Sequence, residues 1–210
     1  MGKEIARILL EWHSRFGRRF SFRETLDPYG VLVAEIMLRK TTARQVEKVW
    51  PEFMRRFPTI EALARANVRE VEHLIASLGI KKRAHDLVTL AKKVVEQYGK
   101  IPHDPNQLKS LPGVGEYIAN CLASFCFGER LPLIDSNVRR ILCRMLGITE
   151  KGKKADMMIR KAYENIAPLS DYRSFHYALL DLAAIYCRPK KPRCEKCPVK
   201  NVCRSYNTSF

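Results

Sequence analysis

Long apolar runs are missing from this sequence. No stretch approaches the roughly 18–20 consecutive apolar residues that a membrane-spanning helix requires, which excludes an integral helical membrane protein. The first residues, 1-MGKEIARILLEWHSRF-16, carry an apolar run too short and too interrupted for a signal peptide. Ala6 denies Gly2 a myristoylation site. Strand-like alternation, internal repeats and low-complexity tracts are lacking too. Acidic residues are scarce: 22 Asp and Glu against 38 Lys and Arg give a formal net charge of +16 and a pI near 9.7. That imbalance points to a polyanionic partner, nucleic acid before any other. Apolar material is not scarce. At 210 residues and 46% hydrophobic composition the chain is not disordered, and it can build one generous domain or two small ones. With an intracellular location expected, its seven cysteines are expected to bind metal or sit as buried thiols rather than form disulfides.

Helical periodicity dominates, so the fold class expected is all-α. In residues 3–16, Ile5, Ile8, Leu9, Trp12 and Phe16 fall on one face at spacings of three and four. Asp27-Pro28 reads as an N-cap followed by proline at the first helical position, opening a helix over 28–42. Further helices are predicted at about 43–57, 60–66, 68–77 and 82–98, the last closed by Gly99. Short elements at 105–111 and 115–127 flank a turn. Helices then follow at 136–147, with Gly147 as C-cap, at 153–167 and at 171–186.

The tail reads 187-CRPKKPRCEKCPVKNVC-203. Cys187, Cys194, Cys197 and Cys203 are too close together, and too interleaved with Pro and Lys, to come from hydrophobic packing. Soft thiolate ligands suit zinc or an iron–sulfur cluster. Zinc sites usually show two C-x2-C pairs and only 194–197 is one, which favours the cluster and leaves zinc open. Cys121, Cys126 and Cys143 lie in apolar helices and read as small core residues.

Between two helical segments stands 111-LPGVG-115, whose side chains can do no chemistry. Glycines let a backbone approach a ligand closely, and the helix that follows opens with free N–H groups, an anion site. Asp135 lies farther on, before Ser136, Asn137 and Val138; alone it reads as an ordinary N-cap.

Taken together, the hairpin, the spaced aspartate and the cysteine box resemble the helix-hairpin-helix DNA glycosylases of the endonuclease III superfamily, from about residue 20 to Cys203. The resemblance implies a helical barrel over roughly 23–132 with the hairpin at about 105–127. A second helical domain would comprise 1–22 and 133–210 and carry a [4Fe-4S] cluster on Cys187, Cys194, Cys197 and Cys203, with the DNA cleft between the two domains. Gly113 and Gly115 amides would bind a phosphate, and the carbonyls of Lys109, Leu111 and Val114 a K+ or Na+ ion. Asp135 matches the catalytic aspartate and Asn137 the asparagine that follows it in the adenine and mismatch-thymine branches. The expected partner is double-stranded DNA holding a mismatch or damaged base. The protein would be a monomer in a prokaryotic cytoplasm, at the nucleoid.

Several positions bear on the branch. Endonuclease III relatives carry a Schiff-base lysine where this chain has Tyr117, and a phenol cannot form an imine. The resemblance is therefore nearest to the archaeal-type mismatch-specific thymine/uracil glycosylases. Glu35 matches a glutamate of both the adenine and mismatch-thymine branches, in a mostly apolar setting that would keep it protonated as a general acid. Lys40 falls where relatives fill the gap left by the flipped base, with glutamine in one branch and arginine in the other. In 79-GIKKRAHDL-87, Ile80 is the candidate wedge, and Lys81, Lys82 and Arg83 are candidate phosphate contacts. The adenine branch's paired tyrosines are missing there, and so is a C-terminal domain after Cys203, which counts against adenine removal. Adenine glycosylase and a non-catalytic mismatch-binding module are the alternatives.

Overall fold

Asp27 accepts a hydrogen bond from the Gly30 N–H at 2.9 Å and Pro28 takes the first helical position, so the helix Pro28–Leu38 starts where the sequence places it. The computed structural model describes residues 2–79 and 82–208; Ile80 and Lys81, assigned above to the wedge and a phosphate contact, lie outside these described residues. Among them there is no strand. In chain order the helices are α1 (Gly2–Phe16), α2 (Pro28–Leu38), α3 (Ala43–Arg56), α4 (Ile60–Ala64), α5 (Val68–Ile75) and α6 (Lys82–Tyr98). They continue with α7 (Pro105–Lys109), α8 (Glu116–Cys126), α9 (Ser136–Leu146), α10 (Gly152–Ile166), α11 (Tyr172–Ile185) and α12 (Arg204–Asn207). Gly147 ends α9 in the left-handed conformation that its position predicts.

Contacts divide the chain into two compact units, Arg19–Leu131 and Met1–Arg18 with Pro132–Phe210. Within the first, α2 is the central helix, and every residue from Tyr29 to Met37 is buried. It packs on α3, α6 and α8, while α6 also covers α4 and α5. Fully buried Leu32, Met37, Phe53, Leu63, Leu87 and Leu90 fill the centre, each worth about 1.5–3 kcal/mol of burial. Tyr29 donates its hydroxyl to the Phe57 carbonyl at 2.7 Å. Burial, with help from the Asp27 and Glu61 charges, holds this phenol well above its ordinary value of 10.0. Its contribution to stability is complete below that value and is lost as pH rises above it, where the unfolded chain's phenol ionises while the folded one stays protonated. Tyr29→Phe is expected to cost about 1–3 kcal/mol in urea unfolding, because the Phe57 carbonyl is left buried and unpaired.

In the second unit α1 packs on α11 and α10, and α9 on α10, α11 and α12. The Asp181 carboxylate is buried. It accepts from the Arg18 N–H at 2.7 Å and from Arg18 Nε at 2.8 Å, which ties the end of α1 to α11. Ile5, Leu9 and Trp12 are buried as the α1 pattern predicts, but Phe16 is 66% exposed. α1 ends at Phe16, one turn past the last buried contact.

The helix predicted over 28–42 stops at Leu38. Thr42 belongs to the next helix, forming a capping box with Gln45, and Lys40 adopts φ 55°. Lys40 therefore sits in a bend and not on the helix that carries Glu35.

Candidate active site

The turn 111-LPGVG-115 is a helix–hairpin–helix joint between α7 and α8. Gly113 has φ 77°, a conformation that L side chains rarely adopt, and an added Cβ would lie 3.2 Å from Arg39 Nη1. The positive φ calls for glycine, while the exposed Arg39 guanidinium could give way to a Cβ. Gly115 is the N-cap of α8 without a side-chain cap. Among the described residues neither glycine's N–H is found donating to another backbone group, and both glycines are exposed just before a helix start, where anions can bind. The Leu111 carbonyl accepts from the Val114 N–H at 3.1 Å, so one of the three carbonyls expected to hold a cation already has a partner.

The bend at 39–41 meets this hairpin. Arg39 Nη1 donates to the Gly113 carbonyl at 3.3 Å. Arg83, near the start of α6, donates through Nη2 to the Arg39 carbonyl and, at 3.0 Å, to Thr41 Oγ1. Three segments that the sequence assigned to DNA thus come together through named hydrogen bonds. Lys40 and Lys82 are exposed. Arg83 is different: it is only 3% exposed, so its guanidinium supports the bend and does not face a phosphate, contrary to the sequence-based expectation. Burial, then the nearby Arg39 charge, pulls Arg83 below its ordinary value. Glu35 is buried in α2. Tyr117 is half-buried in the first turn of α8, directly behind the hairpin.

Asp135 caps α9. One carboxylate oxygen, Oδ1, accepts from the Asn137 and Val138 N–H groups at 2.9 and 2.8 Å; Oδ2 accepts from Asn137 Nδ2 at 2.8 Å. Asn137 Oδ1 accepts from Arg140 Nη2 at 3.0 Å, which fixes the amide so that its NH2 group must face the carboxylate. Arg140 Nε in turn donates to the Cys187 carbonyl at 2.9 Å. One turn on, Arg144 donates to the carbonyls of Arg188 (2.7 Å) and Pro189 (3.1 Å), with Nη1 3.6 Å from Cys187 Sγ. Sequence reasoning missed both arginines. Their spacing of three and seven residues after Asn137 puts them on its face of α9, and that was the only available signal.

The four cysteines of the tail line one cavity of about 220 Å³, beside Arg144 and Tyr206. Among the described residues no group of three or more His, Cys, Asp or Glu side chains is gathered closely enough to hold a single metal ion. Burial pushes the Cys197 thiol up to about 11, and the neighbouring thiols add to the rise. Of the other cysteines Cys121 is buried, whereas Cys126 and Cys143 are half-buried.

A family model described as "HhH-GPD superfamily base excision DNA repair protein" matches residues 33–168. The "Thymine-DNA glycosylase" of Aeropyrum pernix is 42% identical, over 97% of this chain and 94% of the relative. The "Thymine/uracil-DNA glycosylase" of Pyrobaculum aerophilum is 36% identical, over 94% and 90%. A solved structure of a thermostable thymine-DNA glycosylase superposes with a TM-score of 0.90 at 31% identity, covering 99% of this chain and 97% of the other.

Proposed function

Since the chain belongs to the HhH-GPD superfamily of base excision DNA repair proteins, we propose that it is a monofunctional DNA N-glycosylase. It hydrolyses the N-glycosidic bond of thymine or uracil mispaired with guanine and leaves an abasic site. The observation that carries this reading is the Asp135 carboxylate at the start of α9, held by two backbone N–H groups and by an Asn137 amide that Arg140 orients.

Cleavage of an N-glycosidic bond builds positive charge on the sugar. A carboxylate fixed in place can stabilise that charge without reorganising as it develops. Asp135 has this role, and Asn137 holds its Oδ2 by one hydrogen bond. Burial of Glu35 in an otherwise apolar helix suits a carboxyl group that stays protonated and donates to the departing base. Gly113 and Gly115 seat a phosphate of the damaged strand on their N–H groups, with a K+ or Na+ ion on carbonyls of the same turn. Lys40, exposed on its bend, fills the space left when the base is flipped out of the stack. Lys82 contacts the backbone.

Cys187, Cys194, Cys197 and Cys203 would hold a [4Fe-4S] cluster. Four soft donors around one 220 Å³ cavity, not gathered at a point, suit a group larger than a single ion, and Arg144 brings positive charge to offset thiolates. When bound, the cluster supplies cross-linking of a loop that has little core of its own. The protein acts as a monomer on double-stranded DNA, in the cytoplasm at the nucleoid. Among the described residues no helix is long and apolar enough to cross a membrane.

A set of otherwise identical duplexes, each with one G·T, G·U, A·G or A·8-oxoguanine pair, tests the substrate under single-turnover conditions. Release from G·T and G·U is expected to be fastest; faster release of adenine would overturn the assignment. Tyr117→Lys is expected to convert part of the population to strand cutting, seen as a borohydride-trapped covalent adduct that wild type does not give. If no adduct formed, Tyr117 would not face the sugar.

A further inference from the structure

We propose that Arg83 is a positioning residue that holds Lys40 in the backbone conformation presenting its side chain to the duplex. This rests on the reading of Lys40 as the residue that fills the gap beside a flipped base. Lys40 has φ 55°, and a non-glycine residue persists in that region only where its surroundings hold it there. Here the holding groups are visible. Arg83 Nη2 donates to the carbonyl of the residue before Lys40 and to the hydroxyl of the residue after it. The Thr41 hydroxyl also donates to the Arg39 carbonyl at 3.2 Å, and the Thr41 N–H donates to the Leu38 carbonyl at 3.2 Å. The Arg39 side chain then anchors the bend to the Gly113 carbonyl of the hairpin.

Arg83 has little else to do. It is 3% exposed, and its Nη1 finds no hydrogen-bond partner among the described residues. Burying a guanidinium with one nitrogen unsatisfied is unfavourable, and the contacts it does make all converge on the bend. A phosphate outside cannot reach atoms so placed. Fixing the bend before DNA arrives lowers the conformational entropy lost when Lys40 enters the helix, and it sets the side chain's exit direction relative to Gly113.

A double-mutant cycle between Arg83 and Lys40 tests this, read by single-turnover thymine release from a 30-mer G·T duplex. Lys40→Ala is expected to slow release roughly tenfold or more, as loss of a gap-filling group should. Arg83→Ala is expected to slow it roughly tenfold with Lys40 present and less than about twofold in the Lys40→Ala background, the signature of coupling. On an undamaged duplex the slope of log affinity against log salt should stay unchanged. A slope lower by about 0.9 would mean a lost phosphate contact and would overturn the proposal. So would equal slowing in both backgrounds. If Lys40→Ala itself had no effect, the gap-filling reading would fail and take the proposal with it. Should Arg83→Ala not fold, Thr41→Val removes one acceptor and leaves the arginine in place. It is expected to slow release about two- to fivefold, only when Lys40 is present; an unchanged rate there would also overturn the proposal.

Discussion

Replacing Asp135 by Asn is expected to slow thymine release from a G·T duplex by roughly 10²–10⁴-fold, the span expected for loss of a positioned catalytic charge or base. The variant is informative because its structural and chemical effects separate. Asn is as good an N-cap as Asp, and its Oδ1 can still accept from the Asn137 and Val138 N–H groups. The second oxygen becomes an NH2 group facing Asn137 Nδ2, donor against donor. Asn137 cannot simply turn over to relieve this, because its Oδ1 is held by Arg140. The carboxylate charge is lost, and the thermal midpoint should move by no more than about 4 °C. A wild-type rate would reduce Asp135 to a helix cap. A collapsed melting temperature with a proportionate fall in rate would lead to the same conclusion.

If the proposed cluster is bound, Cys197→Ser should remove it and much of the second unit's stability. Absorbance near 400 nm is expected to vanish, and unfolding should come more than about 4 kcal/mol earlier, since losing a structural metal group is among the largest single-residue effects. Excision should fall as well. Arg140 and Arg144 donate to the carbonyls of residues 187–189, so the loop that carries the thiols also anchors Arg140, whose Nη2 donates to Asn137 Oδ1. A loose loop frees Arg140, and with it the amide beside Asp135. If purified wild-type protein were colourless and held one zinc, the cysteines would form a zinc site. If it held no metal and Cys197→Ser melted as wild type does, the box would be no metal site at all.

What the sequence reveals here, it reveals through local rules. The Asp27-Pro28 start of α2 and the Gly147 stop of α9 each depend on a few neighbouring residues, and each is found as read; the turn at 111–115 depends on Gly113, which takes the positive φ. The capping role of Asp135 is local too. The end of α2 is equally local, yet the apolar run up to Leu38 masks the Thr42–Gln45 capping box that starts the next helix. Arg83 could not be read this way. Its acceptors lie on the 39–41 bend, far off in sequence, and nothing beside it distinguishes a buried guanidinium from an exposed one. The same holds for the bonds of Arg140 and Arg144 to the carbonyls of residues 187–189, more than forty residues downstream. Long-range hydrogen bonds between charged side chains and loop carbonyls leave no periodicity behind.

Base removal without strand cutting is the central claim, and one measurement meets it directly. Wild-type protein is incubated with a duplex carrying one G·T pair and end-labelled on the thymine strand. Free thymine is then quantified, and the strand is resolved with and without hot alkali. Stoichiometric thymine release is expected, with a strand that breaks only after alkali. An intact thymine strand, or a strand already broken without alkali, would contradict the claim.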